Sequence, residues 1–184
     1  MRRLGRRLLL VFLIFTPSVL PALSDFTGQV VGIIDGDTID VLHNGQAGGR
    51  RTDPEKPERI RLNGTDCPEN GQPFGKDAKQ FTSSLVFGKK VTLHIYGKDQ
   101  SGYTLADVLL PDGTNVNYAL VKSGRCWWSP QDAPDNVTFA ELQRRARKSG
   151  LGLWANPEAV PPWEWREGGR VKRPLPGGPG ESKE

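Results

Sequence analysis

Arg59-Ile60-Arg61-Leu62-Asn63-Gly64-Thr65-Asp66-Cys67-Pro68-Glu69 (RIRLNGTDCPE) is the stretch on which the fold of this chain turns, together with Asp35-Gly36-Asp37 some two dozen residues earlier. Arg59 to Leu62 alternates polar and apolar, so on a strand both arginines point to one face while Ile60 and Leu62 point to the other, toward a core. Asn63-Gly64 ends that strand, and Pro68 holds the following residues extended, so Asp66 and Glu69 leave the loop close to the sheet edge. Beyond the turn residue Asp35, the carboxylates Asp37, Asp66 and Glu69 thus gather at strand ends. Two carboxylates and a backbone carbonyl suit a hard, oxygen-preferring cation such as calcium.

The 184 residues suffice for one domain with a real core. The chain opens differently, with Arg2, Arg3, Arg6 and Arg7 ahead of an apolar run, Leu8 to Phe15, that is too short to span a bilayer. Ala22-Leu23-Ser24 then supplies small residues before Asp25, which predicts a secretory signal peptide over residues 1–24; an uncleaved anchor is the other reading. The expected destination is the periplasm or the medium, with no stable membrane anchor after cleavage.

The formal net charge of +4 comes from 25 basic and 21 acidic residues. Four of the basic residues and none of the acidic ones lie in residues 1–24, so the remainder is neutral. A general polycation that coats nucleic acid is excluded, and any phosphate binding rests on a local patch. Cys67 and Cys126 are too few for a zinc site. In an exported chain they either form a bridge, which would pin the loop of the opening motif, or remain two unpaired thiols.

Phe26 to Ile34 is rich in β-branched residues and reads as a strand, Asp35-Gly36 as a hairpin turn, and Thr38 to His43 as the next strand. Asn44 to Pro57 is glycine, proline and charge, hence loop, and with the strand from Arg59 the segment makes a three-strand meander. Phe74, Ala78, Phe81 and Leu85 recur at helical spacing and predict a helix over Pro73 to Phe87. Lys90 to Tyr96 and Leu105 to Leu110 read as strands, and Val116 to Ser123 as a short helix. Cys126-Trp127-Trp128 packs the edge of the sheet. Thr138 to Glu141 fits a capping box that opens a last helix closed by Gly150. Pro161 to Trp165 reads as a strap over the domain, and Glu167 to Glu184 as a disordered tail. The expected fold is a five-stranded OB-type β-barrel with about three helices, an α+β domain over residues 25–166.

The succession DGDT (35–38), RIRLNGTDCPE (59–69), QPFGKDA (72–78), LPDG (110–113) and NYALVKSG (117–124) resembles the thermonuclease family, typified by staphylococcal nuclease. The resemblance covers about Phe26 to Trp154. It implies an OB-type barrel that hydrolyses phosphodiester bonds of DNA or RNA with one calcium ion. It makes Asp37 and Asp66 the carboxylate ligands, with the Cys67 carbonyl as a third. It sets Glu69 beside the attacking water and Arg61 on the phosphate under attack. A monomer is expected.

One segment departs from the family pattern. Members carry a second arginine in a tyrosine-glycine-arginine segment, where this chain has Ser101-Gly102-Tyr103-Thr104, so Tyr103 stands at the arginine's position. A phenol donates one hydrogen bond and carries no positive charge at neutral pH. Reduced activity is therefore expected unless Lys98 or Arg125 substitutes. Two other readings remain open: a catalytically inactive OB-type domain that binds nucleic acid or another anionic ligand, and an envelope protein-interaction module that uses Trp163 to Trp165 as its contact.

Overall fold

Strand β1 (Phe26–Ile33) follows its period-two pattern, burying Phe26, Gly28 and Val30 and exposing the residues between them. It runs antiparallel to β2 (Thr38–His43), with Val30 opposite Val41 and Ile33 opposite Ile39. β2 in turn pairs with β5 (Glu58–Leu62), setting Ile39 against Ile60 and Thr38 against Arg61. This is the expected meander. In a computed structural model of the chain, the described residues are 25–43, 46–47, 50–51 and 56–168. The predicted signal peptide falls outside them, as does the predicted tail beyond a turn at Glu167 and Gly168.

The loop predicted between β2 and β5 contains a small ladder, β3 (Gln46–Ala47) paired with β4 (Arg50–Arg51). Gly48-Gly49 between them is the hairpin signal that the sequence reading passed over. After β6 (Thr65–Asp66) and helix α1 (Gly75–Val86), strands β7 (Lys90–Lys98) and β8 (Thr104–Leu109) form an antiparallel pair. β8 lies parallel to β5 with Arg61 beside Leu105, and β7 returns to β1 with Leu93 beside Phe26. The order β1-β2-β5-β8-β7 closes a five-stranded mixed barrel of the OB type. Its only parallel contact, β5 with β8, requires a crossover, and α1 with β7 supplies it.

The barrel interior is filled by Val30, Ile39, Val41, Ile60, Leu62, Leu93 and Val108, all fully buried. Each such side chain contributes about 1.5–3 kcal/mol relative to an exposed position. Helix α2 (Val116–Lys122) seals one end, and its buried Asn117 stitches β5 to β8: its Oδ1 accepts from Val108 N–H at 3.0 Å, and its Nδ2 donates to Asn63 O at 2.9 Å. Strand β9 (Trp127–Trp128) pairs with β6, so Trp127 sits opposite Asp66. Helix α3 (Val137–Lys148), a 3-10 turn (Gly152–Ala155) and helix α4 (Pro162–Arg166) follow, so the described residues hold four α-helices where about three were expected.

Three local expectations shift. Helix α1 begins at Gly75, because Phe74 adopts a left-handed conformation (φ 70°) that ends the preceding turn. Gly75 is required there: a Cβ would lie 2.1 Å from the Glu69 carbonyl oxygen, so the helix start rests directly on the Glu69 turn. Helix α3 is capped by Asn136, whose side chain accepts from Phe139 N–H at 3.1 Å, two residues before the predicted capping box. Glu141 serves Arg144 and Arg145 on the helix surface instead. The predicted strap is a single helical turn, α4, with proline at its first position.

Candidate active site

The turn between β1 and β2 is tied by backbone bonds from Ile34 N–H to Thr38 O (2.9 Å) and by Asp37 N–H to Asp35 Oδ1 (3.1 Å). Gly36 permits a close approach here, since a Cβ there would meet Cys67 Cβ at 2.6 Å and Ala78 Cβ at 2.9 Å. Thr82 of α1 holds the same turn from behind, donating to Gly36 O at 2.5 Å. Asp37 is thereby pushed inward, 3 % exposed. Its carboxylate accepts from Thr38 Oγ1 at 3.1 Å and from Cys67 N–H at 2.6 Å.

The RIRLNGTDCPE stretch supplies the other wall. Leu62 N–H donates to Asp37 O at 2.8 Å, which fixes the exit of β5 against the first turn. Thr65 Oγ1 donates back to Leu62 O at 3.0 Å, and Asp66 follows, 5 % exposed. Cys67 is bridged to Cys126, so of the two readings for the cysteines the structure takes the disulfide. The bridge joins the carboxylate loop to the segment that leads into β9.

Arg61 points from β5 into the space between the two buried carboxylates. Its Nη1 lies 3.6 Å from Asp37 Oδ1 and its Nη2 lies 3.4 Å from Asp66 Oδ1. Burial pushes the Asp37 carboxyl up to about 8, against the opposing pull of Arg61, because the cavity desolvates the anion more than one guanidinium compensates. Burial opposes the charge of Arg61 too, yet Asp37 and Asp66 outweigh it and hold its pKa above the ordinary value.

Glu69 is half-buried at the rim. Its turn is closed by Gln72, which accepts from Glu69 N–H at 2.9 Å while its own N–H donates to Glu69 O at 2.9 Å. The remaining cation at the site is one that the sequence reading missed. Arg166, at the end of α4, donates from Nη1 to Asp66 Oδ1 (3.0 Å) and Glu69 Oε1 (2.6 Å), and from Nη2 to Asp66 Oδ2 (2.7 Å). The hydrogen bond to Asp66 raises the pKa of Arg166. No local pattern marks this residue in the sequence, where it lies 97 positions from Glu69.

The structure therefore brings together Asp37, Asp66, Glu69 and Arg61, with the Cys67 backbone between the first two. Tyr103 meets Arg59 instead. Its ring lies 5.5 Å from the Arg59 guanidinium, and Arg59 is itself paired with Asp40 at 3.0 Å. Lys98 and Arg125 are committed elsewhere: Lys98 Nζ bonds Glu58 at 3.0 Å, and Arg125 lies over the Phe81 ring and 4.0 Å from Asp77. Neither takes the place of the arginine that the sequence lacks at Tyr103.

The family model described as staphylococcal nuclease homologue matches residues 59–156, from the arginine strand through the 3-10 turn. The chain belongs to this family. An uncharacterized endonuclease of Escherichia coli is 41 % identical over 157 residues, covering 85 % of this chain and 94 % of the relative. A micrococcal nuclease of Shigella flexneri is 38 % identical over 156 residues, covering 80 % of this chain and 84 % of the relative. An uncharacterized endonuclease of Haemophilus influenzae is 36 % identical over 165 residues, covering 89 % of this chain and 86 % of the relative. The likeness to nuclease-family members thus extends beyond the matched core to both of its flanks.

Proposed function

We propose that this protein is an exported, calcium-dependent nuclease that hydrolyses phosphodiester bonds of DNA or RNA. The observation that carries the reading is Arg61 lying between two buried carboxylates, Asp37 and Asp66, with Glu69 beside them at the solvent-facing rim. Family membership and the nuclease names of the relatives support it.

The donor set fits a hard dication. Asp37 and Asp66 offer only oxygen, and both converge on one guanidinium. Burial raises the Asp37 pKa, so a cation at its oxygens would favour the ionised carboxylate that burial alone disfavours. Among the described residues no three His, Cys, Asp or Glu side chains gather as a ligand set. As the family resemblance implies, the two aspartates with the Cys67 carbonyl would hold the ion, leaving water to fill the coordination sphere. When bound, calcium polarises a phosphoryl oxygen and stabilises the charge that develops on it. Arg61 offers paired N–H donors to the phosphate oxygens. Glu69, at the rim, orients a water for attack and takes its proton. The disulfide and the Asp37 to Cys67 hydrogen bond keep the carboxylates in register without spending substrate binding on it.

Cleavage of single-stranded DNA and RNA, measured with calcium and with a chelator, tests the reading. Cleavage that needs calcium and drops about 10²- to 10⁴-fold in Glu69→Gln is expected. Absence of cleavage with retained oligonucleotide binding would replace it with a binding domain. Export predicts that the protein recovered outside the cytoplasm begins at Asp25, which N-terminal sequencing reads directly.

A further inference from the structure

Arg61 and Arg166 reach the same atom from different ends of the chain: Asp66 Oδ1 lies 3.4 Å from Nη2 of one and 3.0 Å from Nη1 of the other. Two guanidiniums focused on one carboxylate oxygen repel each other unless anionic charge lies between them. Asp37, Asp66 and Glu69 carry three negative charges when ionised, and the two arginines carry two positive ones. With a bound dication the group is left with one positive charge, which matches the single negative charge of a phosphodiester. Without Arg166 the same group would be neutral and would offer an entering phosphate no net attraction.

The arm that carries Arg166 is built to hold it in place. Trp163 packs edge-on against Trp127 at 6.5 Å, and Trp127 is the ladder partner of Asp66 itself. Gln72, which closes the Glu69 turn, donates from Nε2 to Val160 O at 2.7 Å, two residues before α4 begins. The two ends of the Arg166 salt bridge are thus anchored to the same β6–β9 ladder and the same turn. Three of the five guanidinium donors are used on Asp66 and Glu69, which leaves two N–H groups on a side chain that is 44 % exposed and so within reach of an entering phosphate.

We propose that Arg166 is a second phosphate-contacting arginine of the active site, supplied by the C-terminal helix. It donates to the phosphoryl oxygens alongside Arg61 and provides the guanidinium that Tyr103, stacked with Arg59, does not. The proposal rests on the nuclease reading above. It concerns only which residue holds the phosphate.

The test compares the full protein with Arg166→Ala and Arg166→Lys. Binding of a fluorescent phosphorothioate single-stranded DNA, which resists cleavage, is measured with calcium by anisotropy; cleavage of ordinary DNA and binding of calcium alone are measured beside it. Arg166→Ala should weaken oligonucleotide binding about tenfold or more and lower kcat by roughly 10³-fold or more, the lower end of what a phosphoryl-contacting arginine contributes elsewhere. Calcium affinity should stay the same or tighten, since a competitor for Asp66 is removed. Arg166→Lys should fall between, keeping the charge but losing the fork. An Arg166→Ala protein that binds the oligonucleotide and cleaves as well as the parent overturns the proposal and makes the residue a strap contact that competes with the cation. If Arg166→Ala does not fold by circular dichroism, the lysine variant decides on the same readouts. A parent without calcium-dependent cleavage sinks the nuclease reading alone, because the oligonucleotide arm still reports on Arg166.

Discussion

Gln72 Nε2 donates to the carbonyl of Val160 at 2.7 Å, across 88 residues of chain, while its Oε1 accepts from Glu69 N–H. One buried amide thus joins the rim of the carboxylate site to the segment that delivers Arg166. Gln72→Ala leaves both partners short of a bond in a buried setting and should cost about 1–3 kcal/mol of stability. It should also expose residues 157–168 to limited proteolysis before the barrel itself is cut. Urea unfolding and mapping of the first tryptic cleavage check the two halves of this expectation.

The buried Asp37 carboxyl sets a pH dependence. Its pKa is raised by burial from the ordinary 3.8 to about 8, so between those values the folded protein holds a proton that the unfolded chain has released. Metal-free stability should therefore fall as the pH rises through that interval. Calcium requires the deprotonated carboxylate, so its affinity should rise with pH, about tenfold per unit below the folded pKa. Chemical denaturation in chelator at pH 5 and pH 8, with calcium titrations at the same values, measures both slopes. In Asp37→Asn the stability slope should flatten.

Reduction of the disulfide acts on the same loop. Cys67 and Cys126 are 59 residues apart, and opening a loop of that length is expected to remove about 4 kcal/mol in the chain-entropy account. The Cys67 N–H that holds Asp37 would also lose its tether. Cys126→Ala should lower both the melting temperature and calcium affinity, and a thiol reductant should reproduce the effect in the parent but not in the variant.

Gly36 is sandwiched between the disulfide and α1. Gly36→Ala places a methyl group within 3 Å of Cys67 and Ala78 and should destabilise the fold by roughly 1–3 kcal/mol through overpacking. Thermal melts read the loss. Because the displaced turn carries Asp37, calcium affinity should drop with it.

The alternation in Arg59 to Leu62 and the β-branched run of Phe26 to Ile34 were enough to specify the strands, since a period of two on a half-buried surface admits one choice of face and branched side chains favour the extended chain. The acidic positions were legible for the same reason: Asp37, Asp66 and Glu69 follow turn residues that must carry them out of the sheet. Closure of the barrel through the parallel β5–β8 pair, and the cap at Asn136 rather than Thr138, depend on which neighbours a segment meets. Local propensity does not encode that.

The sequence by itself determined the barrel class, the family and the cluster of carboxylates with Arg61, because each is written in patterns a few residues long. Tertiary structure alone decided that the cysteines pair, that Tyr103 lies under the Arg59 guanidinium, and that the cation bridging Asp66 and Glu69 is Arg166. The physical reason is distance along the chain. A salt bridge spanning about a hundred residues has no periodicity or turn chemistry to announce it, and exists only once Trp163 has packed on Trp127 and Gln72 has reached Val160.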